Sequence, residues 1–275
     1  MQDKILQALR RNAADDAVQL ARQWTADEPE QPQAHRWLAL SLQQQGQFDA
    51  ALDSPQQALA LAPDNADLHL QHAGLLLALR QFEAAGSALD RTASLNPNEL
   101  AAYLMQAHMA LLRNDVDEAE RITRIATRLD EDSPELAALN GMIALRRGEG
   151  DRALALLSAA ARALPDDPRV LYALGFAYMS KDMLAFAEQA FRRVLELNPA
   201  VTSLRALLVQ LALRQGNSES AAATLRQVLA EPDGDTPAMR RLAGELELQS
   251  GQPLQAVEHL LPVLEQAPGG RHTLH

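Results

Sequence analysis

The residues of this chain that could do chemistry are few, and they do not converge. Of seven histidines, His69 and His72 stand three apart, a spacing that on one helix can chelate a metal ion. No third ligand falls at a matching position, and His72 sits in a slot that reads as interior packing. Asp130-Glu131-Asp132 and Asp166-Asp167 are acidic clusters that fit helix N-caps better than cation sites. Arg121, Arg124 and Arg128 form a basic row at helical spacing, but Glu118, Glu120 and Asp130 accompany it, as on a solvated face. There is no zinc-protease motif, no glycine-rich phosphate loop, no serine-hydrolase elbow and no cysteine. Neither catalysis, nor a metal, nor a cofactor is expected within these 275 residues.

The elements that would position any site declare themselves by a beat. Alanine stands at 17, 51, 85, 119, 153, 187 and 221, every 34 residues, and Ala256 follows one residue late. A 34-residue period marks stacked helix-turn-helix units. Pro29, Pro63, Pro97, Pro165 and Pro199 keep the same period, and each ends a second helix because proline cannot continue one. Asn12, Gly46, Asn114, Gly148 and Gly216 form a third phase, with Arg80 and Asp182 as exceptions. Glycine and asparagine tolerate the left-handed backbone that closes a helix, so this phase marks the turn inside each unit. The alanines suit crossings where two helices approach too closely for a larger side chain.

These positions resemble the tetratricopeptide repeat, whose pattern is W-x2-L-G-x2-Y, then A-x3-F, then P. Residues 168–201 supply Leu171, Leu174, Gly175, Tyr178, Ala187, Phe191 and Pro199, with only the tryptophan replaced. Gly141, Ala153, Leu157 and Pro165 repeat part of the pattern, as do Leu38, Ala51 and Pro63, and Gly244, Ala256, Leu260 and Pro268. The resemblance implies an all-α fold, an α-solenoid in which units stack into a right-handed superhelix. The expected units are approximately 1–31, 32–65, 66–99, 100–133, 134–167, 168–201, 202–236 and 237–268, forming one solenoid over 1–275. An extra residue within Glu231–Asp235 shifts the register before the last unit. Residues 269–275 read as the start of a capping helix cut short, which suggests a longer protein.

Composition agrees with that reading. Apolar residues make up 47% of the chain but aromatics only 4%, as expected when alanine and leucine fill the interfaces. A net charge of −11 opposes a nucleic-acid duplex, so no nucleic acid is expected as partner. The longest uncharged run, Leu100–Leu112, is too short to span a bilayer, and Met1–Asn12 lacks a signal-peptide core. No membrane insertion and a cytoplasmic location are expected. Pro55 and Pro262 fall inside second helices, where a lost hydrogen bond should bend them.

In tetratricopeptide proteins the first helices line a concave groove, and the resemblance carries its lining slots to this chain. They are Arg36, Leu40 and Gln43; Leu70, Gly74 and Leu77; then Leu104, His108 and Leu111. They continue as Ala138, Met142, Leu145 and Arg146; Arg169, Tyr172, Phe176 and Met179; Gln210, Leu213 and Arg214; and Arg241, Glu245 and Leu248. Apolar residues presented in this way mark an interaction site. With five arginines against Asp67, Glu135 and Glu245, the lining reads as mildly basic. The implied partner is a protein or peptide, apolar with some acidic residues, held as a strand or short helix. Subtypes that grip a chaperone carboxylate carry a Lys and Asn pair four apart. The matching pairs here are Arg36 with Leu40, Leu70 with Gly74, and Leu104 with His108, so that role is unlike this chain. Three roles fit the resemblance: an interaction scaffold, self-association through the uncapped C-terminal end, or the substrate-recruiting arm of a larger enzyme. The arm would be of the kind seen in bacterial glycosyltransferases, sulfotransferases and aspartyl hydroxylase-like oxygenases.

Overall fold

The computed structural model describes residues 1–199, 201, 203–230 and 234–266, and among these it contains helices and no strands. Among the described residues eight helical hairpins follow one another. The first three pair α1 (Gln2–Arg10) with α2 (Ala14–Asp27), α3 (Pro32–Gln44) with α4 and α5 (Phe48–Ala51, Asp53–Leu61), and α6 (Ala66–Ala78) with α7 (Phe82–Leu95). Next come α8 (Leu100–Leu112) with α9 (Val116–Leu129), α10 (Pro134–Arg146) with α11 (Gly150–Ala163), and α12 (Pro168–Ser180) with α13 (Leu184–Leu197). The last two pair α14 (Ser203–Arg214) with α15 (Ser218–Leu229), and α16 (Pro237–Gln249) with α17 (Pro253–Gln266). The hairpins form two compact units, Met1–Leu139 and Asn140–His275. Within each, a helix packs on its hairpin partner and on the next hairpin, which is the α-solenoid arrangement.

The repeated alanines are the reason the hairpins close. All seven in the 34-residue series are fully buried, and Ala256 is only 1% exposed. Opposite them, on the first helix, some hairpins carry a glycine that admits no side chain. A Cβ on Gly141 would stand 2.6 Å from Leu157 Cγ, one on Gly175 2.6 Å from Phe191 Cζ, and one on Gly244 2.6 Å from Leu260 Cγ. A small residue on one helix and a large one on its partner therefore interlock across the crossing.

Every hairpin turn contains one left-handed residue, including both exceptions to the glycine and asparagine pattern. Arg80 has φ 58° and Asp182 φ 56°, matching Asn12, Gly46, Asn114, Gly148, Gly216 and Gly251. The next amide in each turn reaches back five residues, as in Gln81 N–H to Leu76 O at 2.8 Å and Met183 N–H to Tyr178 O at 2.9 Å. Closing those carbonyls outweighs the intrinsic penalty of about 1–2 kcal/mol for a left-handed L-residue.

The junctions between hairpins have a device of their own. His35 Nε2 donates to the Pro29 carbonyl at 2.7 Å, His69 Nε2 to Pro63 at 2.8 Å, and Tyr103 Oη to Pro97 at 3.0 Å. Arg205 reaches Pro199 O in the same way at 3.4 Å. These donors share one phase of the repeat, six residues after the proline, and they tie down a carbonyl left open at the helix end. Ion pairs repeat too: Arg91 with Asp64, and Arg193 with Asp166 at 2.8 Å, join second helices to the preceding junction at equivalent positions.

The acidic clusters serve partly as expected. Asp167 caps α12 by accepting from Arg169 N at 2.8 Å. The cap ahead of α10 is instead Ser133, which accepts from Leu136 N at 3.2 Å, while Asp130 accepts from Asp132 N within the turn. The arginine row on α9 is a solvated face, with Arg121 held in a two-point pair by Glu118 at 2.6 and 2.7 Å.

The two interior prolines behave differently. At Pro55 the second helix splits into α4 and α5, with Leu52 between them. At Pro262, where a bend is expected, α17 is not interrupted and continues as one helix through the proline. The carbonyl that Pro262 leaves unpaired belongs to Glu258, an exposed residue open to water, whereas Pro55 is buried. Most of the Glu231–Asp235 joint, and all of the start of a capping helix at 269–275, lie outside the described residues.

Candidate binding groove

The slots on the first helices differ in what they offer. In the unit Met1–Leu139, Arg36, Leu40, Gln43, Leu70, Gly74, Leu77, Leu104 and His108 are half-buried on α3, α6 and α8. Neighbouring first helices are stitched together: Gln71 Nε2 donates to Arg36 O at 2.9 Å, and Met105 Cε lies 3.6 Å from where a Cβ on Gly74 would stand. Leu111 is a correction. Only 5% exposed, it is packed inside and offers nothing to a ligand, as is Ala138 at 4%.

In the unit Asn140–His275, Met142, Leu145, Phe176 and Met179 are half-buried, each resting against core side chains, and Tyr172 is exposed. Leu213 is buried and is likewise removed from the lining. Gln210, Arg214, Arg241, Glu245 and Leu248 are exposed. The distinctive feature is an aromatic group. Tyr172 and Phe176, one turn apart on α12, have ring centroids 5.0 Å apart. Both meet Phe191 of α13, at 6.0 and 5.2 Å, edge to face. Phe191 is wholly buried, so it anchors the two outer rings from behind and fixes their orientation. Nearby, Tyr178 stacks on Phe186 at 5.4 Å, and Phe186 is half exposed. No position in the repeat pattern signals Phe186, because its counterparts in the other units are not aromatic.

The arginines are less available than their number suggests. Arg169 is paired with Asp167 at 2.7 Å and Arg214 with Asp182 at 2.7 Å. Burial works to raise the Asp167 carboxyl, but hydrogen bonds from the Arg169 side chain and backbone outweigh it and hold the group below the usual aspartate value. The mildly basic lining is therefore locally neutralised by two acidic residues that lie outside the first-helix slots. Arg146 also has interactions of its own. Arg36 differs: among the described residues its guanidinium meets the Gln33 side-chain oxygen alone, at 3.5 Å, and its buried Nε has no partner there.

His69 Nε2 is engaged by Pro63 O, and no cluster of three His, Asp or Glu suited to a metal occurs among the described residues. His72 is half-buried with Nε2 unpartnered. Burial, and secondarily the neighbouring His69, lowers its pKa from the ordinary 6.5. The folded state thus binds its proton less readily than the unfolded chain, so stability falls as pH drops below about 6.5. His72→Leu removes both the unpaired nitrogen and the titration. Urea unfolding at pH 5.5 and 7.5 is expected to show a smaller pH difference, and a higher midpoint at pH 5.5, in this variant.

No helix among the described residues is long and apolar enough to cross a membrane. No curated protein matches the chain. Solved structures do, at identities that speak for the fold alone. A tetratricopeptide repeat protein from Parabacteroides merdae is 18% identical with a TM-score of 0.62, covering 90% of this chain and 96% of that one. The Cut9–Hcn1 assembly of APC/C gives a TM-score of 0.69 at 16% identity, covering 97% of this chain and 53% of that one, so this chain spans about half its length. Human IFIT1, as a dimer with m7Gppp-AAAA, gives 0.68 at 16% identity, covering 95% and 67%. Two family models described as tetratricopeptide repeat match, one at residues 42–109 and 183–246 and the other at 3–66 and 139–201. With the repeated alanines, the left-handed turns and these matches in agreement, the chain belongs to the tetratricopeptide repeat family.

Proposed function

We propose that this protein is a non-catalytic interaction module of the cytoplasm, which holds a peptide or protein segment against the first-helix row. Tetratricopeptide repeats in general mediate protein–protein contacts, and the single observation that carries the reading here is the aromatic group. Tyr172 and Phe176 present ring surface outward while buried Phe191 holds them in place. Rigid, partly exposed rings of this kind are the anchors from which interface hot spots are made. Met142 and Met179, half-buried on α10 and α12, add adaptable apolar side chains to the same row. On the unit Met1–Leu139 taken by itself, Arg36, one turn from Leu40 and without a carboxylate partner among the described residues, favours acidic side chains among apolar ones in a segment held there. The net charge of −11 favours a protein over a nucleic acid, although IFIT1 shares the fold and is seen with m7Gppp-AAAA.

A labelled apolar peptide bearing Asp and Glu, titrated beside its Lys and Arg counterpart, tests this. Binding of the acidic version at least about tenfold tighter is expected, a difference of about 1.4 kcal/mol. Preference for the basic version, or binding of neither, would overturn the proposed ligand class. The alternative of a substrate-recruiting arm keeps the same groove and differs only in what the gene encodes beyond this stretch.

A further inference from the structure

The last described helix carries an apolar stripe that the repeat architecture does not account for. On α17, Leu254, Val257 and Leu261 are 83%, 55% and 52% exposed and fall on one face, spaced three and four apart. The other seven hairpins provide an internal control, because each has its equivalents of these positions relative to the repeated alanine.

Two residues before that alanine the chain places Asp15, Asp49, Glu83, Asp117, Asp151 and Glu219, all exposed, where α17 has Leu254. Five residues after it the chain places Asp90, Arg124, Arg192 and Arg226, again exposed, where α17 has Leu261. Apart from half-buried Ser158, these positions stay in water even where another hairpin follows. Only the Val257 position is covered in the others, where its equivalents are buried or half-buried, as at Val18, Leu52 and Leu154. A further repeat stacked on α17 would therefore cover the valine and leave both leucines exposed. Some other surface must account for two leucines where charge is otherwise the rule.

The spacing of the stripe points to which surface. Leu254, Val257 and Leu261 are nearly symmetric about Val257. When two such helices run antiparallel, Leu254 of each meets Leu261 of the other, and the two valines meet near the axis. A closed two-fold contact requires such self-complementarity. Charge favours the same place. In a chain of net charge −11 two copies repel, yet among the exposed residues from Pro253 to Leu261 only Glu258 is charged. We propose that α17 is a homodimerisation helix, pairing antiparallel with α17 of a second copy through Leu254, Val257 and Leu261. This goes beyond the groove reading and stands independently of it, since none of the three residues lies in the first-helix row.

Light scattering on the full chain across roughly 1–100 μM is the test. The expected mass rises towards twice 30.0 kDa, and more readily at high salt, which screens the repulsion. Leu254→Glu with Leu261→Glu is expected to return it to 30.0 kDa with the helical circular dichroism unchanged. A wild type that stays monomeric throughout, as when the chain's own C-terminal residues or a different protein covers the stripe, overturns the proposal. So does a dimer that survives the double substitution. The chain has no cysteine, so Val257→Cys gives a clean reading of geometry. Under mild oxidation it is expected to yield a covalent dimer, and Glu120→Cys, at the equivalent position of α9, is expected to yield none. A dimer lost on the double substitution but not cross-linked through position 257 would overturn the antiparallel register.

Discussion

Phe191→Ala is expected to cost about 3–5 kcal/mol, a large fraction of the stability of an ordinary domain. Phe191 is the largest wholly buried side chain among the described residues, and it fills the space left by Gly175 on the facing helix. It also packs with Leu171, Val194, Leu204 and Leu208, so its loss opens a cavity shared by α12, α13 and α14. Because each hairpin relies on its neighbours, the damage should be local first, with amide exchange rising in those three helices. A second substitution makes the expectation sharper. Gly175→Ala in the wild type drives a methyl to within 2.6 Å of Phe191 Cζ, an overpacking that costs about 1–3 kcal/mol. In the Phe191→Ala background that obstacle is gone, and alanine gains about 1 kcal/mol over glycine in a helix. Gly175→Ala should therefore reverse sign, destabilising with Phe191 present and stabilising without it. Urea unfolding of the four proteins measures this directly, and additive effects would show that the two residues are not in the contact described.

The second large effect concerns binding. Met142→Glu combined with Phe176→Glu places two carboxylates on the surface proposed to hold an apolar, partly acidic ligand. Each substitution removes an apolar anchor and introduces like-charge repulsion, so about 2–4 kcal/mol of binding should disappear, roughly 30- to 1000-fold. Both side chains are half-buried and touch the core at their inner edges, so a modest loss of stability is expected as well. The measurement thus needs titration with the acidic peptide alongside an unfolding curve, at a temperature where the variant is folded. Unchanged affinity in a folded variant would remove the aromatic group from the binding site.

Much of this molecule could be read from residue types and intervals. A fixed 34-residue spacing of alanine, proline and turn residues allows only one way to stack: small residues at the crossings, left-handed residues at the turns and proline at the junctions. Even Arg80 and Asp182, which break the glycine pattern, take the backbone geometry that the interval requires. The first-helix slots were legible as a row, but their environment was not. Leu111 and Leu213 share the phase of half-buried Gln43, Leu77, Leu145 and Met179 and are nevertheless buried, because how far a neighbouring helix covers a position depends on packing and not on period. Arg169 and Arg214 were legible as cations, whereas their neutralisation by Asp167 and Asp182 needs carboxylates from the loop ahead of the helix and from the previous hairpin.

The carbonyl ties from His35, His69, Tyr103 and Arg205 were hidden for a different reason. Three unlike side chains do one job, so no residue type repeats and only the donor geometry reveals it. The stripe on α17 was concealed in the same sense, as leucine looks ordinary in a helix until its exposure is known. By itself the sequence determined the repeat, the hairpin, the turn and the buried alanine ladder, since these follow from local sterics recurring at a constant interval. The tertiary structure alone decided which lining residues stay accessible, which charges are already paired and which apolar residues are left uncovered. Those properties depend on what the rest of the chain brings alongside.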